Sequence, residues 1–89
     1  MTKELLEKLR NEHREQTIKV FNKNADWYKR FAEKISKGEL LTDNDWKEMN
    51  EETLIYIKYV NENGENDEIE LSWLFSKGFE DELLETIKQ

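Results

Sequence analysis

The chain has no cysteine and no proline, only three glycines, a single histidine and no long apolar run. Without cysteine, disulfides, thiolate metal sites and a cysteine nucleophile are excluded. A fold that needs no such staple suits the cytoplasm, which is the expected location. No stretch approaches the eighteen or so consecutive apolar residues of a membrane span. The first residues, Met1, Thr2, Lys3, Glu4, Leu5 and Leu6, do not form the apolar core of a signal peptide. With no proline and no low-complexity linker, residues 1–89 are expected to form one small acidic domain.

What remains is rich in charge. Charged residues make up 39% of the 89 residues and apolar residues 36%, but the ten aromatics argue against a disordered chain. The net charge of −7 is unevenly placed: residues 1–38 carry ten Lys/Arg against six Asp/Glu, and residues 39–89 carry four against fifteen. The first part is therefore +4 and the second −11.

From Lys3 to Lys37 the pattern is helical. Ile18, Phe21, Ala25, Tyr28, Ala32 and Ile35 recur at spacings of three and four and so share one face, widened by Trp27 and Phe31. Glu4 and Lys8, Glu15 and Lys19, Asp26 and Arg30, and Glu33 and Lys37 are i,i+4 pairs with the acid first. Gly38 stands where a helix C-terminal glycine belongs. One unbroken helix here would be about 50 Å long, so a break is expected at Asn22, Lys23 and Asn24. Leu5, Leu6 and Leu9 form an apolar island ahead of a polar stretch, to be folded back onto the core or left as a contact surface.

Thr42 and Asp45 have the spacing of a capping box, which starts a short helix over residues 43–51 with Trp46 and Met49 on one side. Two runs rich in β-branched and aromatic residues follow, about 53–60 and 68–75, with Asn63-Gly64 between them. That is the strongest short signal for a β-hairpin. With Asn63-Gly64 as a two-residue turn, Tyr56 faces Leu71 and Leu54 faces Trp73, Ile69 shares their face, and only Lys58 spoils it. Phe79, Leu83, Leu84 and Ile87 mark a last amphipathic helix. The expected class is α+β: N-terminal helices, a short helix, a hairpin and a C-terminal helix. The all-helical rival would run residues 46–60 on as helix and use Asn63-Gly64 as its cap. Phe31, Trp46, Tyr56, Leu71, Trp73 and Leu83 are the expected core.

Little points to catalysis. His13 lies in a polar helical stretch, none of Ser36, Ser72 and Ser76 sits in a nucleophile motif, and no glycine-rich phosphate loop exists. Residues 61–70 resemble a calcium loop only in composition: with Gly64 in the sixth place, Tyr59 falls where the first ligand belongs. No Asp or Glu is embedded in an apolar run strongly enough to be nominated as a general acid or base. No enzyme activity, cofactor or metal is expected.

The expected function is binding. A dense acidic surface on a small scaffold steers onto a basic site of a partner protein. The contact residues expected are Asp43, Asp45, Glu48 and Glu51 on the short helix, with Glu62, Glu65, Asp67 and Glu68 at the hairpin. Nuclease immunity proteins, antitoxins and phage-encoded inhibitors, some of them imitating the charge of DNA, share this physical type. A nuclease or another nucleic-acid-binding protein is a fitting partner, and nucleic acid itself is not. Two alternatives stand beside it. The element order of a winged helix suggests a regulator that holds DNA through Lys19, Lys23, Lys29, Arg30, Lys34 and Lys37, although phosphates repel the acidic helix and wing. A self-associating structural protein, such as a homodimer, would set the positive part of one copy against the negative part of another.

Overall fold

The structure, a computed structural model, describes residues 1–85. Ile87, expected on the last helix, lies outside the described residues. The order of elements is α1 (Lys3–Ser36), α2 (Asp43–Thr53), β1 (Tyr56–Val60), β2 (Asn66–Glu70), a 3-10 helix (Leu71–Phe75) and α3 (Lys77–Glu85). The class is α+β, and residues 56–60 are strand, not helix. Contacts divide the chain into two compact units, one of Met1–Thr17 with the residues from Tyr56 onward, the other of Ile18–Ile55.

Helix α1 does not break at Asn22, Lys23 and Asn24; it runs on for 34 residues. Asparagine is only a moderately poor helix former, and with neither proline nor glycine inside the run nothing forces an end. Gly38 ends it. The Gly38 N–H donates to the Ile35 carbonyl and the Glu39 N–H to that of Lys34, both at 3.0 Å, with Gly38 at φ +81°. These are the two bonds of a Schellman motif. The four expected i,i+4 ion pairs are not among the described contacts; Lys8 and Glu12 approach to 4.0 Å instead.

In the unit of residues 18–55, α1 buries the side that carries Trp27 and Phe31. They cluster with Met49 of α2, and Leu41 packs against them. The expected apolar stripe points elsewhere: Ile18, Phe21, Tyr28 and Ile35 are 50–59% exposed, and Ala25 and Ala32 are exposed as well. Trp46 lies edge-on to Phe31, ring centroids 5.1 Å apart, but stays 42% exposed. At the start of α2 the Asp45 N–H donates to the Thr42 hydroxyl at 3.2 Å, and the Thr42 N–H to the Asp45 carboxylate at 2.9 Å. The capping box is complete.

In the other unit the core is aliphatic. Leu6, Leu9, Ile57, Ile69, Leu71 and Leu74 are all buried, so the Leu5, Leu6 and Leu9 island faces inward, with Leu5 at its half-buried margin. The hairpin register differs by one residue from expectation. Tyr56 pairs with Glu70 and Ile57 with Ile69. The reason lies in the loop. The Gly64 N–H donates to the Asn61 carbonyl at 3.0 Å and the Asn61 N–H to the Glu65 carbonyl at 2.9 Å. Gly64, at φ +79°, is therefore the left-handed third residue of a three-residue loop. A slip of one residue turns the first strand over relative to the second, while Ile69 stays inward as expected. Tyr56, expected in the core, is 56% exposed, and Leu54 is 49% exposed. The slip also frees the inner face of Lys58, which sits exposed across from Glu68. The second strand stops at Glu70, and Leu71–Phe75 coil into the 3-10 helix, burying Leu71 and Leu74 and leaving Trp73 45% exposed. Trp73 stacks on Phe79, centroids 4.5 Å apart. Leu83 is half-buried, and Phe31 and Leu71 are the members of the expected core that are fully buried.

Candidate functional site

The eight acids singled out from the sequence fall in two groups. Asp43, Asp45, Glu48 and Glu51 stand on α2, in one unit, and Glu62, Glu65, Asp67 and Glu68 on the hairpin of the other. Each group is a site of its own.

On α2 the acids differ in availability. Asp45 was expected at the surface but is buried, at 9% exposure. The capping box requires its carboxylate to bend back over the helix start, where the Lys34 ammonium meets it at 2.8 Å. The Lys34 hydrogen bond, with the Thr42 backbone N–H, holds Asp45 below the usual carboxylate range, and the same bond raises Lys34. Asp45 is thus a structural residue. Glu48 accepts a hydrogen bond from the Asn44 amide at 3.0 Å. Asp43 and Glu51 project into solvent. Glu52, which the sequence did not single out, accepts the Trp27 indole N–H at 2.7 Å, while Arg30 lies over the same ring, 3.9 Å from its centroid.

On the hairpin, Asn61 organises the loop. Its side-chain oxygen accepts the N–H groups of Asn63 and Glu65 at 2.9 and 3.0 Å. This is turn chemistry. Glu62 pairs with the Met1 amino group at 2.9 Å, and that bond holds its carboxyl below the ordinary range. Asp67 accepts the Tyr59 hydroxyl at 3.3 Å. Burial first, and the charge of Asp67 second, push the Tyr59 phenol up to about 12. Glu65 and Glu68 are exposed, and among the described residues no cation comes within ion-pairing distance of Glu65, Asp67 or Glu68.

Glu70 was missed. It is 7% exposed, between the buried Ile69 and Leu71, and accepts the Ser72 hydroxyl. The signal was available, since an acid between two aliphatic residues at a strand end is a candidate for burial. Elsewhere in this unit Arg10 donates to the Leu74 carbonyl and stands 3.7 Å from Glu80. Lys77 pairs with Glu80 at 3.0 Å, which raises the lysine and lowers the glutamate. The His13 imidazole meets the Gln16 side chain at 3.4 Å, and the His13 carbonyl accepts the Thr17 hydroxyl at 2.7 Å. Among the described residues no three His, Cys, Asp or Glu side chains gather as a metal site would require, and no helix is long and apolar enough to cross a membrane.

The basic residues of the DNA-binding alternative all lie in or just after α1. Lys34 is engaged by Asp45 and Arg30 covers Trp27, while Lys19, Lys23, Lys29 and Lys37 are exposed. Two helices precede the hairpin, where a winged helix has three. Set against known proteins, the chain matches no family model, no curated protein and no solved structure.

Proposed function

We propose that this chain is a small acidic binding module that occupies a basic site on a partner protein and performs no chemistry there. The observation that carries this reading is the set Glu65, Asp67 and Glu68. Three exposed carboxylates lie within four residues, with no described cation in pairing range. Like charges so close repel one another, and a cationic surface from outside relieves that repulsion. Asp43, Glu48 and Glu51 on α2 offer a second, smaller acidic surface. Asp45 and Glu62 serve the fold.

The partner is a protein with a cationic groove, such as a nuclease or another nucleic-acid-binding protein. The module acts on it as inhibitors, immunity proteins and antitoxins of bacteria and phages do, with its carboxylates in the place of DNA phosphates. A cysteine-free fold supports a cytoplasmic setting.

The test starts with affinity capture from the native host and identification of the captured protein. Association is then followed by stopped flow at two salt concentrations. Combining Glu65→Lys, Asp67→Lys and Glu68→Lys should leave the circular dichroism unchanged and slow association by roughly tenfold or more at low salt. An unchanged rate, or wild-type association insensitive to salt, contradicts the electrostatic reading.

A further inference from the structure

The exposed stripe of α1 has an internal symmetry. Ile18, Phe21, Ala25, Tyr28, Ala32 and Ile35 follow the strict 3-4-3-4-3 spacing of a coiled-coil seam. Their direction is about 110° around the helix from the Trp27 and Phe31 side that the unit itself buries, at 100° per residue. The seam therefore does not compete with the fold.

We propose that this face is the interface between two copies of the chain, paired antiparallel through α1 about a two-fold axis near residues 26 and 27. In that arrangement Ile18 meets Ile35 of the second copy, Phe21 meets Ala32, and Ala25 meets Tyr28. Each large ring is set against a small side chain, as a packed interface requires. Parallel in-register pairing would oppose Phe21 to Phe21 and Ala25 to Ala25, crowding one layer and emptying the next.

Charge neither opposes nor selects the pairing: at 100° per residue Asn22 and Lys29 border one side of the seam and Asn24 the other, while Lys19, Asp26 and Glu33 point about 110–150° away from it.

The area sets the strength. Eighteen residues of helix, about 27 Å long and roughly 10 Å wide, give a footprint of roughly 270 Å² per copy, well below the ~800 Å² of a standard interface. The dimer is accordingly weak and exchanges readily.

Sedimentation equilibrium of the full chain, from micromolar to millimolar, tests the pairing. A monomer–dimer equilibrium is expected. Phe21→Glu should weaken it by roughly 30-fold or more. Ala32→Glu, which removes no packing and keeps a good helix former, should do the same with unchanged helical circular dichroism. Spin labels decide the orientation, since the chain has no cysteine of its own to interfere. On Asp26→Cys the two labelled sites are offset along the axis by only about 2 Å, and on Ser36→Cys by about 28 Å. A chain that stays monomeric at millimolar concentration overturns the proposal. So does a dimer that survives both glutamate substitutions, or one whose two label pairs are equally spaced.

Discussion

The two parts of α1 treat their apolar residues in opposite ways. Residues 3–17 carry few, and Leu6 and Leu9 are buried, in the unit that also buries Ile57, Ile69, Leu71 and Leu74. Residues 18–36 carry many, yet only Trp27 and Phe31 go inward, and the more regular stripe of isoleucine, phenylalanine and tyrosine stays in solvent. The difference follows from what each part has to pack against. The first has a hairpin, a 3-10 helix and α3 in its unit; the second has α2 alone, a helix of 11 residues. One short helix covers one side of α1 and no more. Where apolar surface outruns the cover available within a unit, the surplus is left in solvent, and such a patch marks a candidate site of association.

That contrast can be broken at several points, with effects of decreasing size. Phe31→Ala should cost about 3–5 kcal/mol, because the ring is buried between Trp27, Trp46 and Met49. In the other unit Leu71→Ala and Leu74→Ala should each cost about 2–5 kcal/mol, since both are fully buried. Chemical denaturation at low protein concentration measures these losses. Thr42→Ala removes one half of the capping box and should cost about 1 kcal/mol. Smallest of all, Tyr28→Ala and Ile35→Ala should alter the stability of the monomer by less than about 1 kcal/mol, because both side chains are more than half exposed. A loss as large as that of Phe31→Ala would mean that the stripe is core.

Acid should act on the unit of residues 18–55 through Asp45. Its carboxyl titrates below the usual range when folded, because Lys34 and the Thr42 backbone N–H donate to it. The folded state thus gains stability above the ordinary carboxylate value, about 3.9. That gain is lost as pH falls through the lowered value. The amide signals of Thr42 and Asp45 followed by NMR from neutral pH downward should report the cap opening below about pH 4. Asp45→Asn should remove that transition.

Local chemistry was legible in the sequence. Thr42 with Asp45, and Gly38 after lysines, announce the ends of helices through groups a few residues apart, and both form as expected. The hairpin was legible from Asn63-Gly64 and its β-formers, but its register was not. Register depended on whether Gly64 closed a two-residue or a three-residue loop, and Asn61 decided that by accepting the N–H groups of Asn63 and Glu65. From that one residue follows the exchange of Tyr56 for Ile57 in the core, whereas Trp73 turns outward because the chain leaves the strand at Glu70 for the 3-10 helix. The face of α1 was illegible for another reason. Periodicity tells which residues share a side, and says nothing of which side finds a partner. For the candidate acids, position on helix or hairpin was legible. That Asp45 spends its charge on Lys34 and Glu62 on the Met1 amino group depended on residues brought close by folding.

The most direct test uses the isoleucine methyl groups, observed by NMR with a soluble paramagnetic agent. In dilute solution the signals of Ile18 and Ile35 should be strongly broadened and those of Ile57 and Ile69 spared, and raising the protein concentration should protect the first pair. Ile18 and Ile35 spared in dilute solution, with Ile57 and Ile69 broadened, would contradict both the exposed face of α1 and the hairpin register.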